Sequence, residues 1–189
     1  IIVDKGIVVQ FNRHYLLLFK LKYFNFTRNI KIMRTAQEWF DAYGASHQNG
    51  TNKLIHWICI PLIMFSLFGL LMAIPFPESV FGLYVNFAGL VLFISLIFYL
   101  RLSFSLFVGF FILGSLLLFV NYKLFQAIGM DNGMMALISL AIFVIAWIGQ
   151  FIGHKIEGAK PSFFEDLQFL MIGPAWLLQF IYKKVGVKI

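Results

Sequence analysis

The sequence predicts an all-α fold, a polytopic membrane bundle of about four transmembrane helices. A surface helix precedes the first span, and a short re-entrant or interfacial helix closes the chain. Three observations predict this. Of 189 residues, 61% are hydrophobic and only 12% charged, about half the charge of an ordinary soluble domain. The apolar residues come in uncharged runs of about 20, the length that crosses a hydrocarbon core. Lys and Arg divide unequally between the two sets of loops joining those runs, as the positive-inside rule describes. A water-soluble core of this size could not hide so much apolar surface.

Residues 1–34 hold seven of the fifteen basic residues (Lys5, Arg13, Lys20, Lys22, Arg28, Lys31, Arg34) against one acid, Asp4. The rest of the chain is nearly balanced, so the basic excess belongs to this segment. Basic residues interleaved with Phe and Tyr suit nucleic acid, but beside membrane spans anionic lipid is the better partner. No nucleic acid is therefore expected. The first Met is Met33, and Tyr15–Phe19 is too short an apolar stretch for a signal peptide. Residues 1–34 are read as a basic N-terminal extension, with two explanations open for residues 1–32: upstream sequence translated with the gene, or the end of a fragment. Residues 35–189 are read as a single membrane-embedded domain.

Thr35-Ala-Gln-Glu38 has the spacing of a capping box. The helix it starts, Ala36 to Ser46, puts Trp39, Phe40 and Tyr43 on one side, as a membrane-surface helix would. Asn49-Gly50 stops it, and Thr51 or Asn52 can cap the next helix. Four uncharged runs follow: Trp57–Pro77, Ser79–Leu100, Leu102–Tyr122 and Asn132–Gly153. Pro61 lies in the first, where a membrane helix tolerates it. Only Arg101 separates the second from the third, which implies a tight hairpin. The last run, Leu167–Tyr182, is shorter and holds Gly173-Pro174. It is read as re-entrant or interfacial, with a fifth span as the alternative.

With four spans, one face collects Arg34, Lys53, Arg101, Lys155, Lys160, Lys183, Lys184 and Lys188. The other has Lys123, Glu78 and Asp131. Both termini are therefore expected in the cytoplasm, with a bacterial inner membrane or the endoplasmic reticulum membrane as the location.

This topology, argued from charge alone, gathers His47, His56 and His154 on the cytoplasmic face. Imidazole is the commonest protein ligand for iron, zinc and copper. Three of them can hold one divalent ion and leave positions open. Nearby acids are Asp41, Glu157, Glu165 and Asp166. Glu157 is three residues after His154, a spacing that shares a helix face, and can be a fourth ligand or orient an imidazole. Gln150, one turn before His154, is a second supporting candidate. A histidine near a helix end also sits in the interface without binding anything, so the residues alone leave both readings open. Cys59 is the only cysteine, which excludes an internal disulfide and a cysteine metal cluster. Gly149 and Gly153 form a small-residue pair suited to helix packing, and Trp57 and Trp147 are placed in an aromatic belt. No row of intramembrane charges marks a transport pathway, and no nucleophile elbow is present.

Two stretches carry a resemblance. Tyr43-Gly-Ala-Ser-His47-Gln-Asn49-Gly-Thr-Asn52-Lys-Leu-Ile-His56, with Pro61 beyond it, resembles a pattern of Tyr, His-x-Asn, Asn, His and Pro. Gln150-Phe-Ile-Gly153-His154-Lys-Ile-Glu157, followed by Pro161, resembles a Gln-x-x-Gly-His-x-x-Glu stretch followed by Pro. In order, with hydrophobic runs between, they resemble the family named domain of unknown function 962, over roughly Thr35 to Tyr182. Its characterised yeast member is an endoplasmic reticulum 2-hydroxy fatty acid dioxygenase. The resemblance implies an Fe(II) (Fe2+) oxygenase that turns a 2-hydroxy fatty acid and O2 into the one-carbon-shorter fatty acid and CO2. This is the α-oxidation step in breakdown of a sphingolipid base. His47, His56 and His154 match the family's histidines and inherit the metal-ligand role, with Glu157 beside them in the catalytic set. Asn49, Asn52, Lys53, Lys155 and Gln150 are the supporting or substrate-facing candidates, the lysines to attract a carboxylate. One departure stands out: the characterised member has paired histidines at the first motif, and Ser46 precedes His47 here. If the paired residue is a ligand, water or Glu157 has to take its position, or the metal affinity is lower. The competing readings are a non-catalytic membrane lipid-binding or assembly protein and a zinc-dependent membrane hydrolase.

Overall fold

A computed structural model describes residues 3–4, 7–8, 34–77, 80–158 and 169–189. The chain divides into two units, Ile1–Arg34 and Thr35–Ile189. In the first, β1 (Val3–Asp4) pairs antiparallel with β2 (Ile7–Val8). Every regular element among the described residues of the second unit is a helix, and the membrane-helix fold expected from the sequence holds.

Helix α1 (Ala36–Gly44) opens on the expected capping box: Glu38 N donates to Thr35 Oγ1 at 3.2 Å, and Thr35 N donates to Glu38 Oε2 at 2.7 Å. Helix α2 (Gly50–Met72) is capped by Asn49, not by Thr51 or Asn52. The Asn49 side chain accepts from the amides of Thr51 at 2.8 Å and Asn52 at 3.3 Å, so the residue expected to end one helix starts the next. Helix α4 (Phe104–Ala127) and helix α5 (Asn132–Glu157), like α2, are long and apolar enough to cross a membrane.

Helix α3 (Phe87–Leu102) is shorter than the expected Ser79–Leu100 run. Asn86 is the cause. Its Oδ1 accepts from Gly89 N, and its amide donates to the carbonyls of Gly82 and Leu83. These bonds fold residues 82–86 into a cap, and the remaining 16-residue helix is about 24 Å long. Ser103, in extended conformation, serves as C-cap of α3 and N-cap of α4 at once. The tight hairpin is therefore present, sealed by Tyr99 stacked on Phe110 at 3.6 Å.

Helices α2 and α5 run antiparallel. Gly69 meets Ser139, Cys59 meets Gly149, and Asn52 meets Gly153. A Cβ on Gly149 would lie 2.6 Å from Cys59 Sγ, so the small residues set a close seam, as membrane helices use them. Trp147 is buried on this seam with Cys59, Ile63 and Ala146, which corrects its placement in an aromatic belt. On the outside, Phe93, Ile112, Leu137 and Ile145 each expose more than half of their surface. Apolar surface of that extent suits lipid as the surrounding solvent.

The last helix, α6 (Ile172–Val185), contains Gly173-Pro174 in its first turn, where proline removes no needed donor. Its 14 residues reach about 21 Å. Ile172 to Gln179 are all buried, packed with Phe40 and Tyr43 of α1. The apolar face of the surface helix is thus covered by α6, not by lipid alone.

Candidate metal centre

Antiparallel packing of α2 and α5 puts the first turns of one beside the last turns of the other. His56 comes from α2, His154 from α5, and His47 from the turn between α1 and α2. Their side chains are 1%, 5% and 2% exposed. One ring nitrogen from each lies within 4.8 Å of the others. Ring centroids are 4.3 Å apart for His47 and His56, 5.2 Å for His47 and His154, and 5.1 Å for His56 and His154.

Hydrogen bonds fix the tautomers of two rings. His47 Nδ1 is 2.6 Å from the carbonyl oxygen of Tyr43, and His56 Nδ1 is 2.9 Å from that of Asn52. A carbonyl only accepts, so each Nδ1 carries the proton and donates. Each ring then turns its Nε2 toward the other, and these two atoms face each other at 2.9 Å, a separation that a shared proton or a cation satisfies. That arrangement fits a cation between them. An Nδ1–H donated to a backbone carbonyl is also the usual outer support of a metal-bound imidazole.

Glu157 stands apart from the imidazole cluster. Its carboxylate accepts from Gln48 N at 2.6 Å, from Asn49 N at 2.9 Å and from Asn52 Nδ2 at 2.9 Å. It holds the turn that carries His47 against the first turn of α2. Gly158 follows in left-handed conformation, with φ of 78°, which ends α5 directly after this contact. Asn52 is fully buried and bridges Glu157 to the carbonyl that orients His56. Asn49 acts through its cap on α2. Gln150 is buried one turn below His154. Lys53 is half-buried in the first turn of α2 and Lys155 exposed in the last turn of α5. Ser46, at the position of the family departure, donates to Tyr43 O and lies 3.2 Å from His47 Nδ1. Glu165 and Asp166 lie outside the described residues, as does His14.

Two aromatic residues complete the site. Tyr43 stacks on His47 at 4.2 Å, and Trp176 of α6 lies 5.5 Å from the same ring. Tyr43 was visible in the first motif, four residues before His47, the spacing of one helical turn. Trp176 carried no signal, because only the docking of α6 brings it in.

Residues 33–185 match the family model described as 2-hydroxy-palmitic acid dioxygenase Mpo1-like, and the chain belongs to that family. No curated protein and no solved structure matches it.

Proposed function

We propose that this member of the 2-hydroxy-palmitic acid dioxygenase Mpo1-like family is an Fe(II)-dependent dioxygenase of fatty acid α-oxidation. It converts a 2-hydroxy fatty acid and O2 into the one-carbon-shorter fatty acid, CO2 and water. The observation that carries the reading is the buried trio of imidazoles, two of them anchored through Nδ1 with their Nε2 atoms converging to 2.9 Å.

His47, His56 and His154 would hold the iron. When bound, iron(II) supplies the one-electron chemistry that lets O2 react with a closed-shell organic acid. The stoichiometry closes without another reductant. The C1–C2 bond breaks, C2 of the substrate becomes the new carboxyl carbon, and C1 leaves as CO2. These changes release four electrons, the number that one O2 accepts on its way to product oxygen and water. The protein's own part is positional. Tyr43 and Asn52 hold the imidazole tautomers through their carbonyls, and Glu157 pins the His47 turn. Burial of the rings excludes bulk water from the reacting carbon. Lys53 and Lys155, at the rim, favour approach of a carboxylate. The site faces the cytoplasm, at the membrane surface from which a fatty acid can enter.

The test is to purify the full chain, load it anaerobically with Fe(II), and supply 2-hydroxypalmitate with O2. Pentadecanoic acid and CO2 should form in equal amounts. Iron-loaded protein that forms neither product would count decisively against the reading. Turnover with zinc in the absence of oxygen would point to hydrolysis instead.

A further inference from the structure

Below the imidazoles lie two neighbouring spaces that share walls. The upper space, ≈ 40 Å³, is bounded by Tyr43 and Gln150 and by Met64, Leu170 and Pro174. Tyr43 is the residue stacked on His47, so this space and the imidazole cluster share Tyr43 as a wall. The lower space, ≈ 340 Å³, shares Met64, Leu170 and Pro174 as walls and continues between α2, α3 and α4. Its far walls are Leu71, Ile74 and Val91. Among its described lining residues only Ser95 and Tyr99 carry hydroxyls, and both are committed to carbonyls, of Val91 at 2.8 Å and Met171 at 2.6 Å. The described lining therefore offers an occupant apolar side-chain surface and no uncommitted side-chain hydroxyl.

From these observations we infer that the chamber between α2, α3 and α4 receives the alkyl chain of the molecule whose polar end sits at the imidazoles. The inference rests on the dioxygenase reading for the identity of that polar end. From Met64 to Ile74 the chamber descends about 15 Å along α2. That is half of the roughly 30 Å hydrocarbon thickness, the depth of one leaflet and so of one acyl chain. Leu71, Ile74 and Val91 form the floor and set the chain length accepted. The polar end is held by a small space with Gln150 and Tyr43 at its edge, and the chain by a larger one with no polar demand. An unbranched amphiphile with its polar groups at one end matches both.

The experiment uses the full chain in lipid nanodiscs under argon, with a 2-hydroxypalmitate analogue bearing a diazirine near its methyl end. After photolysis, adducts should map to Leu67–Ile74 and Val91–Ser95 and disappear with excess unlabelled 2-hydroxypalmitate. Adducts on outward residues such as Ile112 or Leu140 that resist competition, or no adducts, would overturn the inference. In either case bilayer lipid or nothing fills the chamber. Labelling needs no turnover, so it stands apart from the reaction itself. Labelled chamber without product overturns only the reaction, and product without labelled chamber overturns only this assignment. In active protein, Leu71→Trp should lower kcat/KM for 2-hydroxypalmitate relative to a shorter homologue, by roughly tenfold or more per methylene excluded. An unchanged chain-length profile with normal iron content would also overturn it.

Discussion

Two imidazole nitrogens held 2.9 Å apart repel unless a proton or a metal ion lies between them. Their Nδ1 protons are already committed to carbonyls, so neither ring can turn without breaking a buried hydrogen bond. In the proposed iron site this makes each imidazole individually decisive. His47→Ala, His56→Ala or His154→Ala should each abolish stoichiometric iron, read by metal analysis of protein that retains its helical circular dichroism. Bound iron in all three variants would remove the metal centre from consideration. Glu157 calls for a different expectation, because its carboxylate engages backbone amides and Asn52, not the ring nitrogens. Glu157→Ala should keep iron binding but weaken it by about 10–100-fold, as loss of outer supports does. Chelator competition measures this, and an unaltered affinity would reduce Glu157 to a surface acid. Much of the site was legible at this scale. Imidazoles are scarce in this chain, and the alternation of spans assigns each to a face. Glu157 was legible as a participant but not in its place, because helix spacing puts it near His154 without saying which neighbouring amides it meets. Trp176 was not legible at all.

Between helices, the seam of α2 and α5 decides whether His56 and His154 meet. It is close because Gly149 and Gly153 carry no side chain where Cys59 and Asn52 approach. Gly149→Val should therefore spread the helices and destabilise the protein by roughly 1–3 kcal/mol, the usual cost of overpacking. A thermal shift in detergent measures it. Adding Cys59→Ala should restore part of the loss, since the sulfur is the atom in the way. Non-rescue by Cys59→Ala would place the strain elsewhere in the bundle. The seam was readable from the small-residue spacing, and α1 from its capping box. Boundaries that depend on a side chain folding back on its own backbone were not. Asn86 shortens α3 and Asn49 starts α2 through bonds that periodicity does not encode. The docking of α6 was equally hidden, because an apolar run of that length fits an interfacial helix and a buried one alike.

At the scale of the molecule, the metal centre, the α3–α4 joint and the C-terminal helix all gather at one end. Tyr99 OH donates to Met171 O, Tyr182 OH donates to Ser105 O, and Ser105 Oγ donates to Lys188 O. Trp176 of the same C-terminal helix packs on Tyr43 at 5.3 Å. These contacts place Arg101, Lys183, Lys184 and Lys188 at the imidazole end without any appeal to a membrane. Lys123 lies near the opposite end of α4, bonded to Gln126 at 3.3 Å. The charge bias used to order the sequence therefore coincides with a geometric polarity of the bundle, and the positive-inside rule turns that polarity into a prediction of sides. Cys59 is buried and the chain's only cysteine, so a Cys59→Ala background is silent to thiol reagents. In that background, Arg101→Cys and Lys184→Cys should react with a membrane-impermeant maleimide only from the cytoplasmic side. Lys123→Cys should react only from the other. Labelling of Arg101→Cys and Lys184→Cys from opposite sides would break the bundle itself. Labelling of both from outside would keep the bundle and invert it, moving the site away from the compartment where acyl substrates are handled. The second outcome leaves the imidazole geometry intact but removes the argument for cytoplasmic substrate delivery, so the experiment separates the fold from its orientation.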